Sequence, residues 1–155
     1  MKLILLTHSR EIQKASNTGQ LVQKVVANTQ IIIWQRTQPD QSLLDLINSE
    51  KTVLLYPEVN EPDDEVSIVN VADFENFILI DSTWQEARKI FNRSPYLQSL
   101  PRVQLSAELS SSYHLRRNQV EGGMCTAECV VELLRVKGDV DLADELEEEF
   151  FSFIS

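Results

Sequence analysis

The chain has 155 residues, 43% of them hydrophobic and 25% charged, with a formal net charge of −10. These are the proportions of a soluble globular protein, and the length suits one domain, residues 1–155, with a buried core. No apolar run nears the roughly eighteen residues that cross a bilayer, so a membrane partner is not expected. Two cysteines, Cys125 and Cys129, are too few for a disulfide framework. With only His8 and His114 beside them, no four-ligand metal site is expected either.

In chain order, Leu3-Ile4-Leu5-Leu6 is followed at once by the polar Thr7-His8-Ser9-Arg10. That run is too short for a signal peptide, so it reads as a first strand, residues 2–6, of a cytoplasmic protein. Asn17-Thr18-Gly19 then opens a helix over 19–27, either as a cap with a glycine turn or as part of a pocket. A strand at 30–34, a helix at 41–48 and a strand at 52–56 follow. Residues 58–65, acidic and flanked or broken by Pro57 and Pro62, read as surface, as does the serine cluster at 110–112. A strand at 77–80 leads into a helix at 84–93, and a short strand is expected at 102–105. The last two helices are 126–137 and 140–153. Cys125, just before the first of these, and Cys129 on it stand four apart in a helical pattern and act as small hydrophobes. Ala143, Leu146, Phe150 and Phe153 give the second an apolar stripe beneath an acidic face. Short continuous apolar strands alternating with helices predict an α/β fold, a mostly parallel sheet with helices on both faces.

Charge is unevenly distributed. Residues 139–155 hold seven acids and no Lys or Arg; without them, 14 basic residues face 17 acidic ones. From Arg88 to Arg117 six basic residues oppose Glu108 alone. That asymmetry permits an RNA-binding face despite the acidic total.

The stretch "FILIDSTWQEARK" places Asp81 where a buried strand ends and a helix begins. Gln85 stands three after Ser82 and Glu86 three after Thr83, so either register makes a capping box. Trp84, Ala87, Ile90 and Phe91 form the inward face, Arg88, Lys89 and Arg93 project elsewhere, and Pro95 ends the helix. The carboxyl end of a strand is where open α/β sheets hold their ligands. Asp81 is therefore either a helix cap or a functional acid.

"DSTWQEARK", followed by "SPYLQSLPRV", "SSYHLRR" and "CTAE", resembles the DTW-domain family, named for its Asp-x-Thr-Trp motif. Upstream, His8 and Glu11 resemble its His-x-x-Glu element, and Ser16-Asn17-Thr18-Gly19 a second one. The match runs through nearly the whole chain in family order. Ser9 stands where members often have proline. Many bacterial members begin with a cysteine-rich, zinc-ribbon-like segment, whereas this chain starts at strand one, which implies a weaker or different grip on tRNA.

The resemblance implies a tRNA-uridine aminocarboxypropyltransferase with a SPOUT-like fold and a C-terminal knot, using S-adenosyl-L-methionine as co-substrate. It makes Asp81 the candidate catalytic base. A helix N-terminus favours its charged form and weakens it as a base, while burial acts the other way, so a purely orienting role stays open. By the same resemblance Asn17, Thr18, Gly19, Thr83, Trp84, Leu100, Pro101, Tyr113, Leu115 and Thr126 bind the cofactor. Trp84 would lie beside the methionine portion, where an aromatic face suits a sulfonium. Leu100, Pro101, Tyr113 and Leu115 would surround the adenosine, and Thr126 would hold the carboxylate at a helix start. Arg88, Arg93, Arg116 and Arg117 are the phosphate-contact candidates, with tRNA the partner. His8 reads as a hydrogen-bonded structural group. The rival readings are a SPOUT-like RNA methyltransferase, a non-catalytic binding domain and a ribosomal-RNA target.

Overall fold

A computed structural model describes residues 1–9, 18–49, 51–55, 73–81, 84–103 and 126–154. Five strands are described: β1 (Lys2–Thr7), β2 (Thr29–Ile33), β3 (Thr52–Leu55), β4 (Asn76–Asp81) and β5 (Arg102–Val103). The helices are α1 (Gly19–Val25), α2 (Gln41–Ile47), α3 (Trp84–Asn92), α4 (Pro95–Gln98), α5 (Thr126–Lys137) and α6 (Val140–Ile154). The strands form one sheet in the order β2-β1-β4-β3-β5, and every pairing is parallel. The predicted surface segments at 58–65 and 110–112 lie outside the described residues.

The central strands are buried on both faces, which their unbroken apolar runs require. Leu3 to Leu6 and Phe77 to Ile80 are each at most 4% exposed. Alternation divides them between two cores. Leu3, Leu5, Val53, Leu55, Phe77 and Leu79 pack with residues of α1, α5 and α6. Ile4, Leu6, Leu54, Ile78 and Ile80 face the other way, onto Leu43 of α2, Ala87 and Ile90 of α3, and Leu97 of α4. Helices therefore cover both faces.

The connectivity contains a switch point. After β1 the chain passes through α1 to β2 on one side of the sheet, and after β4 it passes through α3 and α4 toward β5 on the other. Those two routes also use opposite faces. Adjacent parallel strands whose following connections diverge leave a gap at their carboxyl ends, the usual ligand position in such sheets. Here that position is marked by Thr7 and Asp81, the last residues of β1 and β4.

Several boundaries differ from the sequence reading. β1 and β4 each run one residue further, to Thr7 and Asp81, because the parallel register pairs these two residues. Pro95 does more than end α3: it opens the four-residue α4, a position its fixed φ and missing N–H suit. Gly138, at φ 89°, ends α5 with Gly138 N–H on the Arg135 carbonyl (3.1 Å) and Asp139 N–H on that of Leu134 (2.8 Å).

The stripe of α6 holds through Ala143, Leu146 and Phe150, each fully buried, but Phe153 is 42% exposed. It sits in the last turn, beyond the point where the helix is backed by core. The acidic face is partly committed to packing. Arg135 of α5 meets Asp144 at 3.1 Å and Glu147 at 2.5 Å, and Lys24 of α1 meets Glu149 at 3.2 Å. Cys129 is buried in the first core, while Cys125 lies outside the described residues.

Candidate active site

Asp81 is the last residue of β4 and only 6% exposed. Its register partner on β1 is Thr7, which is completely buried. Thr7 Oγ1 donates to Asp81 Oδ2 at 3.3 Å and lies 3.4 Å from the Leu5 carbonyl oxygen, so its one proton is shared. The Thr126 hydroxyl donates to the other carboxylate oxygen, Oδ1. Hydroxyls from two separate elements thus engage both oxygens of the acid and fix the plane of the carboxylate.

Thr126 is the first residue of α5, a twelve-residue helix. The carboxylate therefore meets the helix end whose amides and macrodipole favour negative charge. A fourth residue completes this corner. Thr18 Oγ1 accepts the N–H of Ala127 at 3.1 Å, capping α5 across 109 residues of sequence. Its side chain makes no hydrogen bond to its own helix, α1, where only its carbonyl accepts from Leu21 (3.1 Å) and Val22 (3.4 Å). The cap that the sequence suggested for α1 is thus given to α5. Gly19, the first residue of α1, is buried beside it.

The structure brings together Asp81, Thr18, Gly19 and Thr126 among the sequence-derived candidates. Among the described residues no contact joins Leu100 or Pro101 to them. Arg102 at the start of β5 is level with Ile78, three residues back from Asp81, and two strands separate β5 from β1. Leu100 packs in the second core, and the Pro101 carbonyl accepts the Leu54 N–H at 2.9 Å. Arg88 and Arg93 are exposed on and just after α3. The side chain of Trp84, and all of Glu11, Asn17, Thr83, Tyr113, Leu115, Arg116 and Arg117, lie outside the described residues.

Thr7 is the residue the sequence reading passed over. The available signal was a hydroxyl at the first polar position after a buried strand, the same position that Asp81 occupies on β4. Two further polar residues were missed on α5: Glu128 and Glu132, each 2% exposed. Burial pushes the Glu132 carboxyl above its ordinary value, helped by the negative charges of Glu147 and Glu128 and opposed by Arg135. Among the described residues no group of three or more His, Cys, Asp or Glu side chains stands together as a metal site. No described helix is long and apolar enough to cross a membrane.

Comparison with known proteins gives this corner a context. The model of the DTW domain matches residues 1–155. A tRNA-uridine aminocarboxypropyltransferase 2 from Drosophila melanogaster is 29% identical over 143 residues, covering 87% of this chain and 55% of that protein. Proteins of the same name from Macaca fascicularis and Mus musculus are each 28% identical over 98 residues, 63% of this chain and 33% of theirs. The chain thus spans about half of the fly protein's length and a third of the mammalian ones. No solved structure shows a significant match. With the Asp-x-Thr-Trp aspartate fixed at the crevice and the family model matched from first residue to last, the chain belongs to the DTW-domain family.

Proposed function

We propose that this protein transfers the 3-amino-3-carboxypropyl group of S-adenosyl-L-methionine to N3 of a uridine in tRNA, releasing 5′-methylthioadenosine. The observation that carries the reading is the buried, doubly hydrogen-bonded carboxylate of Asp81 at the crevice between β1 and β4. Family membership and the names of the relatives support the reaction class.

In this reading N3 attacks the γ-carbon of the methionine portion. The N–C bond forms as the C–S bond breaks, and sulfur keeps the electron pair, turning the sulfonium into a neutral thioether. The N3 proton leaves the base. Asp81 accepts the N3–H, orienting the uridine and drawing off the proton directly or through water. Thr7 and Thr126 hold that acceptor in one orientation, so no reorganisation is needed when the base arrives. Because the Thr126 hydroxyl is engaged with Asp81 and the Ala127 amide with Thr18, Thr126 serves the donor through the placement of Asp81. Trp84, Asn17, Thr83, Tyr113 and Leu115 keep the cofactor roles that the family pattern implies, within a SPOUT-like, knotted, cytoplasmic enzyme.

Arg88 and Arg93, with Arg116 and Arg117, are the proposed phosphate contacts. The disposition of charge supports this: α3 lies on one face of the sheet and the acidic α6 on the other. The decisive test is product analysis with the donor and unmodified tRNA. Methylthioadenosine is expected; S-adenosylhomocysteine instead would make the protein a methyltransferase.

A further inference from the structure

We infer that the paired rings of His8 and Trp34 form a stacking platform for a nucleobase flanking the reacting uridine, an inference that rests on the transfer reading above. His8 directly follows Thr7, the residue that holds Asp81. Trp34 directly follows β2, and its N–H donates to the Thr7 carbonyl at 2.8 Å, extending the parallel ladder. Both rings therefore stand at the carboxyl rim of the sheet, one residue beyond the Thr7–Asp81 pair. Their centroids are 5.9 Å apart with an interplanar angle of 32°.

The indole is anchored rather than loosely packed. Its Nε1–H donates to Ser94 Oγ at 2.8 Å, and the fully buried Ser94 hydroxyl donates on to the Ile90 carbonyl at 2.6 Å. The polar edge of the tryptophan is thus satisfied inside the protein while the ring stays only half-buried. Strand alternation decides the face. Thr7 follows Leu3 and Leu5 toward α5, whereas His8 follows Ile4 and Leu6, and Trp34 packs against the second core, toward α3.

Two arginines lie close in sequence to the residues that hold the rings. Arg36 lies two residues after Trp34, Arg93 immediately precedes Ser94, and both are exposed. A rigid aromatic surface with guanidinium groups beside it suits a single-stranded nucleotide, with the base on the rings and the phosphate on the arginines. The target uridine would turn toward Asp81 on one side of the rim while its neighbour rests on His8 and Trp34. Stacking is tolerant of base identity, so the platform would place the strand rather than read its sequence.

The test is binding of unmodified tRNA to Trp34→Ala, Trp34→Phe and His8→Ala, with donor binding and thermal unfolding followed in parallel. Trp34→Ala should weaken tRNA binding by about tenfold or more and His8→Ala by severalfold, while Trp34→Phe keeps most of the affinity. Donor affinity should stay within about twofold of the parent. Should Trp34→Ala fail to fold, His8→Ala and Trp34→Phe carry the test. Variants that melt earlier yet bind tRNA like the parent would reduce the rings to a lid on the second core and overturn the platform. Assaying methylthioadenosine from the parent separates the two ideas. No methylthioadenosine with a Trp34-dependent affinity removes the transfer reading and leaves the platform; methylthioadenosine with a Trp34-independent affinity does the reverse.

Discussion

Thr7 and Asp81 are register partners across the two central strands, and the hydroxyl of one meets the carboxylate of the other at 3.3 Å with neither more than 6% exposed. Removing the hydroxyl takes one donor away from a buried carboxylate oxygen. Thr7→Val, nearly the same shape, should keep the fold and bind the donor normally. Turnover should fall about tenfold, the effect of losing one hydrogen bond to a charged group. Steady-state kinetics with tRNA checks this: the loss should appear in kcat. Parental kcat would make Thr7 a packing residue.

Asp81→Asn keeps shape and one acceptor oxygen, so folding and donor affinity should be largely retained. Turnover should drop by roughly two or more orders of magnitude if the carboxylate takes or orients the N3 proton. A folded variant turning over at a near-parental rate would assign Asp81 a structural role only.

Thr18→Val removes the side-chain acceptor of the Ala127 amide and should cost about 1 kcal/mol, as other cap deletions do. The distinctive expectation is location. The loss in denaturant melts should be accompanied by faster amide exchange in the first turn of α5, not in α1. Faster exchange in α1 alone would show that Thr18 caps its own helix in solution.

Arg88 and Arg93 stand on the face opposite α6, so changing both to Gln should weaken tRNA binding and flatten the slope of log affinity against log salt by about 1.5. Changing Glu148 and Glu145, exposed on α6, to Gln should leave that slope alone. A salt titration of both double variants decides the matter, and a parental slope for the arginine variant would make α3 ordinary solvated surface.

Glu132 supplies a pH dependence. Its folded-state carboxyl titrates above the ordinary 4.5, mainly through burial, with Glu147 and Glu128 raising it further and Arg135 opposing. The folded state then binds the proton more tightly than the unfolded chain. The corresponding stability is fully present below about 4.5 and is lost as pH rises through the folded value. Glu132→Gln should lose less stability than the parent between pH 4.5 and 7.5 in urea melts. Identical pH profiles would mean that the carboxyl is solvated in the folded state.

Much of this structure was legible because the local signals agreed. Unbroken apolar runs marked β1, β3 and β4, and the run ending in Asp81 marked a strand end where a ligand could sit, although the local pattern alone suits a helix cap equally well. What was hidden is non-local. Nothing near Thr7 shows that its partner lies 74 residues away, and nothing near Thr18 shows that its hydroxyl caps a helix 109 residues on. Pro95 ends α3 as its local pattern implies, but the same geometry also starts α4, which that pattern does not show. Phe153 followed the right period, but periodicity does not tell where the supporting core ends. Glu128 and Glu132 carry no local mark of burial, since charge is usually exposed, yet they lie buried on the helix that packs against α6.

Asp81, fixed by Thr7 and Thr126, is proposed to serve aminocarboxypropyl transfer to a tRNA uridine. The most direct measurement is mass spectrometry of the nucleosides formed when parent and Asp81→Asn proteins are incubated with S-adenosyl-L-methionine and unmodified tRNA. A uridine heavier by one aminocarboxypropyl group and an equal amount of methylthioadenosine are expected from the parent, both nearly absent with Asp81→Asn. A methylated nucleoside with S-adenosylhomocysteine, or equal product from both proteins, would contradict that role.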